Sequence, residues 1–209
     1  MPASPEETSP EAVGVIDRLT AILDSFDQDG RGLRISELAA RSGLPTSTVS
    51  RLVAGLVREH YLERDGAAVR LGLRVFELSR LASWPRRIRA CAGPVLAGLR
   101  QSTGGTVSIA VPDGADAVVV AVIRGRGETA TPPTGSRLAL EETAAGRAMR
   151  SGLRILERAP VPDDGWVSAA PVLDADGTVV AAITVIGDPC DGPLRAAADA
   201  LGARLSAMR

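Results

Sequence analysis

Apolar residues recur at helical spacing through Val13, Ile16, Leu19, Ile22, Leu23 and Phe26, which predicts a first amphipathic helix ending near Asp27. The loop Asp29-Gly-Arg-Gly32 leads to Leu33, placed as a short strand pairing with a later hairpin. From Ile35 to Leu56 the pattern reads as two helices joined by a tight turn. Ser36 is placed as the N-cap of the first, Glu37 suits its first turn, and Gly43 supplies the left-handed residue that ends it. The second begins at Pro45 or Thr46, and Val49, Leu52, Val53 and Leu56 form its apolar stripe at i, i+3, i+4 and i+7. Residues 61–72 then read as a strand, an Asp-Gly turn and a returning strand. Periodicity resumes in Leu73, Val75, Phe76, Leu78 and Leu81 and stops at Ser83-Trp84-Pro85, which sets the domain boundary.

The second half alternates differently. A helix is predicted over 86–102, strands over 106–111 and 117–123, a Gly/Thr/Pro-rich loop over 125–137, and a helix over 141–151. A second hairpin, 167–173 with 179–186, turns at Asp174-Ala-Asp-Gly177, and a closing helix covers 191–208. Helix, hairpin, helix, hairpin, helix is the grammar of an α+β domain on an antiparallel sheet. The domain expectations are a disordered tail over 1–10, a winged helix-turn-helix over 11–72, a helix over 73–85, and an α+β domain over 86–209.

The formal net charge of −1 hides a division. Residues 1–30 hold seven acids against Arg18, whereas residues 31–74 hold eight arginines against four acids, a net +4. A basic patch over a helix-turn-helix and its wing is the electrostatic footprint of a duplex binder. The second helix presents Ser47, Ser50, Arg51 and Arg58 on its outer face, with Thr46 and Thr48 at its start. Small hydroxyls and an arginine reach base edges and phosphates without bulk. The expected DNA contacts are therefore Ser36, Thr46, Ser47, Thr48, Ser50 and Arg51, with Arg64 and Arg70 flanking the wing. All 24 basic residues are arginine, which suits bidentate contacts and equally fits genome composition.

Catalysis finds no support. The single histidine, His60, stands at a helix end as a dipole partner. Cys91 lies on an inward helical stripe, and Cys190 sits in a Pro-Cys-Asp-Gly loop as an exposed thiol. Gly125-Arg-Gly127 lacks the strand and helix context of a phosphate cradle, and Asp174 and Asp176 are turn residues rather than metal ligands. No catalytic residue, metal site or cofactor is expected. With no signal peptide and no apolar run approaching a membrane span, the expected location is cytoplasmic.

Leu44-Pro-Thr-Ser-Thr-Val-Ser-Arg-Leu52, Tyr61-Leu-Glu and Val69-Arg-Leu-Gly72 resemble the IclR-type bacterial transcription regulators. So do Gly135-Ser-Arg-Leu with Thr143-Ala-Ala-Gly-Arg147, and Ala170-Pro-Val-Leu-Asp with Gly177-Thr-Val-Val-Ala181; the resemblance covers roughly residues 12–205. It implies a winged helix-turn-helix, a linker helix and a GAF-like antiparallel sensor domain, acting on a double-stranded operator as a homodimer or dimer of dimers. The chain departs from the family's pattern at Thr46 and Ser50, where members often carry a basic and an aromatic residue, and the 150–166 stretch is shorter than usual.

Family members that sense small carboxylates use polar residues on the second hairpin, and the matching positions here are Val167, Thr184 and Ile186. The start of the 141–151 helix, with Ala144 and Ala145, offers backbone N–H groups to an anion, but Glu141 and Glu142 oppose one and only Arg137 offsets them. The expected effector is thus larger and more apolar than a two- or three-carbon acid, or sensing is lost. Residues 73–81 either pair protomers or cap the winged domain. The alternative reading of the whole is a winged helix that docks proteins and senses nothing.

Overall fold

The computed structural model describes residues 14–27, 30–126, 131–158 and 165–207, and the chain divides after Ala82 into two compact units. The expectations for the 1–10 tail, Val13, Asp29 and Gly127 lie outside the described residues.

The first unit runs α1 (Val15–Leu23), β1 (Leu33–Arg34), α2 (Ile35–Ser42), α3 (Thr46–Arg58), β2 (Leu62–Asp65), β3 (Ala68–Leu71) and α4 (Leu73–Leu81). Ile22, Leu38, Val49, Val53 and Leu62 form its core, the apolar stripes of three helices closing on the sheet. Burying each such side chain contributes about 1.5–3 kcal/mol. Leu33 does pair with the wing, opposite Val69, and the sheet order is β1-β3-β2. Gly43 has φ 69°, the left-handed stop between α2 and α3. Two local expectations are corrected. Ser36 does not cap α2, because the N-cap is Arg34, two residues earlier. The Glu37 carboxylate instead reaches back to accept the Arg34 N–H at 2.8 Å and holds Arg31 at 3.0 Å. These bonds, that from the Arg34 N–H first, keep the Glu37 carboxyl below its ordinary pKa. In the wing, Asp65 belongs to the strand and faces Ala68, so the two-residue turn is Gly66-Ala67, with Gly66 at φ 60°.

The second unit runs α5 (Ser83–Thr103), β4 (Thr106–Asp113), β5 (Asp116–Ile123), β6 (Arg137–Ala139), α6 (Ala144–Ser151), β7 (Ile155–Arg158), β8 (Trp166–Leu173), β9 (Val179–Gly187) and α7 (Asp191–Ser206). Its six strands are all antiparallel, in the order β6-β5-β4-β9-β8-β7. The two predicted hairpins fuse through β4 and β9. Ile88, Leu96, Ile109, Ile183, Leu194 and Leu201 pack α5 and α7 on one face. On the other face α6 sets Ala144, Ala145, Ala148 and Met149 against Val119, Val167, Ala169 and Ala182. A register shift beside Ile109/Ala110 leaves Val120 as the extra residue of β5, so Val119 turns to the α6 face while Val120 and Ala121 both turn to the other.

Here too expectations change. The helical pattern of 73–81 does stop before Ser83, with α4 ending at Leu81, but Trp84-Pro85 is not a linker: it lies in the first turn of α5, where proline's missing N–H has no carbonyl to serve. The 141–151 helix begins only at Ala144, because Thr143 is the N-cap and its hydroxyl accepts the Gly146 N–H at 3.2 Å. Strands β6 and β7, only three and four residues long, carry too short a pattern to be read from periodicity.

Candidate functional sites

The outer surface of α3 follows from its inner one. With Val49, Val53 and Leu56 buried, the positions between them face solvent. Thr46, Ser47, Ser50, Arg51, Ala54 and Arg58 are exposed, while Thr48 is half-buried. Ala54 was not anticipated, although its spacing from Ser47, Ser50 and Arg51 places it on their stripe; a small apolar side chain there suits a thymine methyl. Ser36 is exposed in the first turn of α2.

The arginines differ in readiness. Among the described residues Arg51 and Arg64 make no ion pair or hydrogen bond. Arg58 Nε lies 3.1 Å from Glu59. Arg70 Nε donates to Glu63 at 2.6 Å and its Nη1 lies 3.9 Å from Asp65. The two wing arginines are therefore not equivalent. Glu63 faces Arg70 across the ladder, whereas Arg64 faces Val69, so the side chains project to opposite faces of the wing.

In the second unit a cavity of about 220 Å³ lies between α6 and the sheet. Ala144, Ala145, Val167, Thr184 and Ile186 all line it. Arg137 does not. Its strand, β6, pairs with β5, which brings the guanidinium to Asp113 and, at 3.2 Å, Asp116. The Asp113 hydrogen bond is the main cause of its raised pKa. Sequence reasoning missed Ser108, which β4 sets directly opposite Thr184 of β9. It also missed Glu157, brought to the lining by β7 and ion-paired with Arg147. Long-range register decides both placements. Thr131 and Pro132 line the cavity from the segment that follows the undescribed residues 127–130.

The remaining chemical candidates resolve simply. Cys91 is buried, as expected, but so is Cys190, contrary to the exposed thiol expected of its loop. Cys190 sits at the start of α7 against the α5–α7 core, and burial pushes its thiol pKa up, which disfavours the reactive thiolate. His60 ends α3 in a left-handed conformation, φ 61°. Asp174 accepts the Asp176 and Thr178 N–H groups at 3.0 and 2.9 Å, the work of a turn residue. Among the described residues no group of three or more His, Cys, Asp or Glu is placed to hold a metal ion. Nor is any helix among them long and apolar enough to cross a membrane.

Comparison with known proteins addresses both units. Residues 15–66 match the model of the IclR helix-turn-helix domain. The HTH-type transcriptional repressor AllR of Escherichia coli K12 is 27% identical over 151 residues, which is 71% of this chain and 56% of the repressor. The AllR of Salmonella typhimurium is 28% identical over 155 residues, with the same coverage. The chain thus spans little more than half the length of the curated relatives it matches. Among solved structures, an IclR homolog from Microbacterium hydrocarbonoxydans complexed with 4-hydroxybenzoate aligns with a TM-score of 0.80 at 20% identity, covering 93% of this chain and 100% of that one. Thermotoga maritima IclR aligns with a TM-score of 0.65 at 17% identity, covering 91% and 98%. At these identities the structures establish a shared fold.

Proposed function

We propose that this chain, an IclR-type transcription regulator by its helix-turn-helix domain and its fold, binds duplex operator DNA through α3 and the wing and senses a small molecule in the α6 cavity. The observation that carries the DNA reading is the exposed face of α3, where Arg51 stands unpaired among Ser47, Ser50 and Ala54. The sensor reading rests on the cavity's apolar lining with a few convergent polar groups, the usual make-up of a ligand site. Its size is consistent with one substituted ring, since an apolar cavity of about 150 Å³ admits benzene. The Microbacterium homolog's complex with 4-hydroxybenzoate supports a ligand of that size.

A salt titration tests the DNA reading. Affinity for duplex DNA should fall linearly on logarithmic axes, by a slope of about 0.9 per neutralised phosphate. Arg64→Ala should reduce that slope by about 0.9, because its charge is unmatched. Arg70→Ala should reduce it less, since Glu63 already offsets Arg70. A protein-docking module would retain no duplex at any salt concentration.

Operator binding by a single winged helix is weak in specificity, and α4 supplies a pairing surface. None of its residues is buried, with Leu73 66% exposed, Phe76 61% and Leu81 76%, which supports a pairing role over a capping one. An apolar surface of this kind fits a second copy, which would place two α3 helices on a palindrome. Light scattering should show a dimer or larger assembly, and Phe76→Glu with Leu81→Glu should shift it toward monomer and weaken operator binding. An unchanged mass in the double variant would remove α4 from the interface.

A further inference from the structure

The α6 cavity carries a charge pattern that restricts what it can hold. Its floor bears two hydroxyls, Ser108 and Thr184, set opposite each other on β4 and β9. Thr184 is 9% exposed, and neither hydroxyl makes a hydrogen bond among the described residues. The charged groups on the lining are both carboxylates, Glu142 and Glu157. The nearby cations are spent elsewhere. Arg147 binds Glu157 and the Glu141 carbonyl, Arg150 binds Glu141, and Arg137 binds Asp113 and Asp116. Glu142 alone has no side-chain partner among the described residues, so the unmatched charge at the cavity is negative.

The start of α6 does not reverse this balance. A helix N-terminus attracts anions, but the Gly146 N–H is already taken by Thr143, and Glu141 and Glu142 precede the first turn. A desolvated carboxylate brought here would meet two hydroxyls and the Ala144 and Ala145 N–H groups but, among the described residues, no unpaired cation and a like charge at Glu142, and an anion without a counter-charge is costly to bury. A group that donates hydrogen bonds meets two hydroxyl oxygens that can accept and, unlike an anion, the Glu142 carboxylate as a charged acceptor.

We infer that the cavity binds a small, largely apolar molecule whose polar end is a neutral or cationic hydrogen-bond donor, of the arylalkylamine or aryl alcohol class, and that it rejects carboxylates. This deepens the sensor reading above and rests on it.

Three probes share one ring and differ in head-group charge: benzylamine, benzyl alcohol and benzoate. Each is titrated at neutral pH into the full chain, with binding followed by calorimetry and by Trp166 fluorescence. Benzylamine should bind at least about tenfold more tightly than benzoate, with benzyl alcohol between them. Glu142→Gln, an exposed and structurally mild change, should narrow that gap from both sides. Thr184→Val should weaken the amine and the alcohol. Benzoate binding as tightly as benzylamine, and lost in Ala145→Leu, would overturn the assigned ligand class while leaving a sensor in this cavity. No saturable binding of any probe, or binding that Ala145→Leu and Glu142→Gln both leave unchanged, would overturn the sensor reading and the ligand class together.

Discussion

Arg51→Ala is expected to weaken binding to the preferred operator by about 1–3 kcal/mol, roughly five- to 150-fold, and to flatten the ranking of operator variants. The expectation follows from the surroundings of the side chain. Arg51 is exposed, no acid competes for it, and Ser47, Ser50 and Ala54 leave room for close approach of the helix. A guanidinium in that setting can meet a guanine edge with two parallel hydrogen bonds. Arg51→Lys should keep the salt slope but lose much of the base preference, because an ammonium cannot make the bidentate contact. Competition titrations over a set of single-base operator variants, at fixed salt, separate these outcomes. An Arg51→Ala protein that melts normally and binds with full affinity would place another face of the molecule in the groove.

Gly146→Ala should destabilise the second unit by about 3 kcal/mol or more, lowering its melting midpoint by roughly 10 °C. A Cβ added at Gly146 would stand 2.3 Å from both Cα and O of Leu140, and these are backbone atoms that cannot rotate away. The turn before α6 must then lift, moving Ala144 and Ala145 and deforming the cavity they line. Ligand binding should be lost along with stability. Gly98→Ala is the control. It lies inside α5 with nothing within 4 Å of the added Cβ, so better helix propensity should stabilise it by about 0.5–1 kcal/mol. Equal melting of the two variants would mean that α6 is not packed against Leu140 as described.

The winged helix-turn-helix was legible in the chain because its determinants are local. The stripe of Val49, Val53 and Leu56 lies within one helix, and Gly43 and Gly66 mark turns closed by residues beside them. Interactions between residues three or four apart need no knowledge of the rest of the fold, so the outer face carrying Arg51 could be read directly. The two hairpins of the second unit were legible for the same reason, through the turn chemistry of Asp174 and the β-branched strands.

Tertiary structure decided what sequence spacing leaves open. Whether Ser108 meets Thr184 depends on joining two hairpins far apart in the chain, and nothing in either hairpin sets that register alone. Arg137 looked like a counter-charge for the α6 N-terminus until the pairing of β6 with β5 gave it to Asp113 and Asp116. Cys190 read as exposed from its turn-like neighbours, yet α7 packs it into the core. Glu157 reached the cavity only because β7 joined the far edge of the sheet. The chain by itself thus determined the local elements and the exposed stripe of α3. The charge of the α6 cavity was set by long-range strand pairing, which decides which of many distant arginines and acids become neighbours.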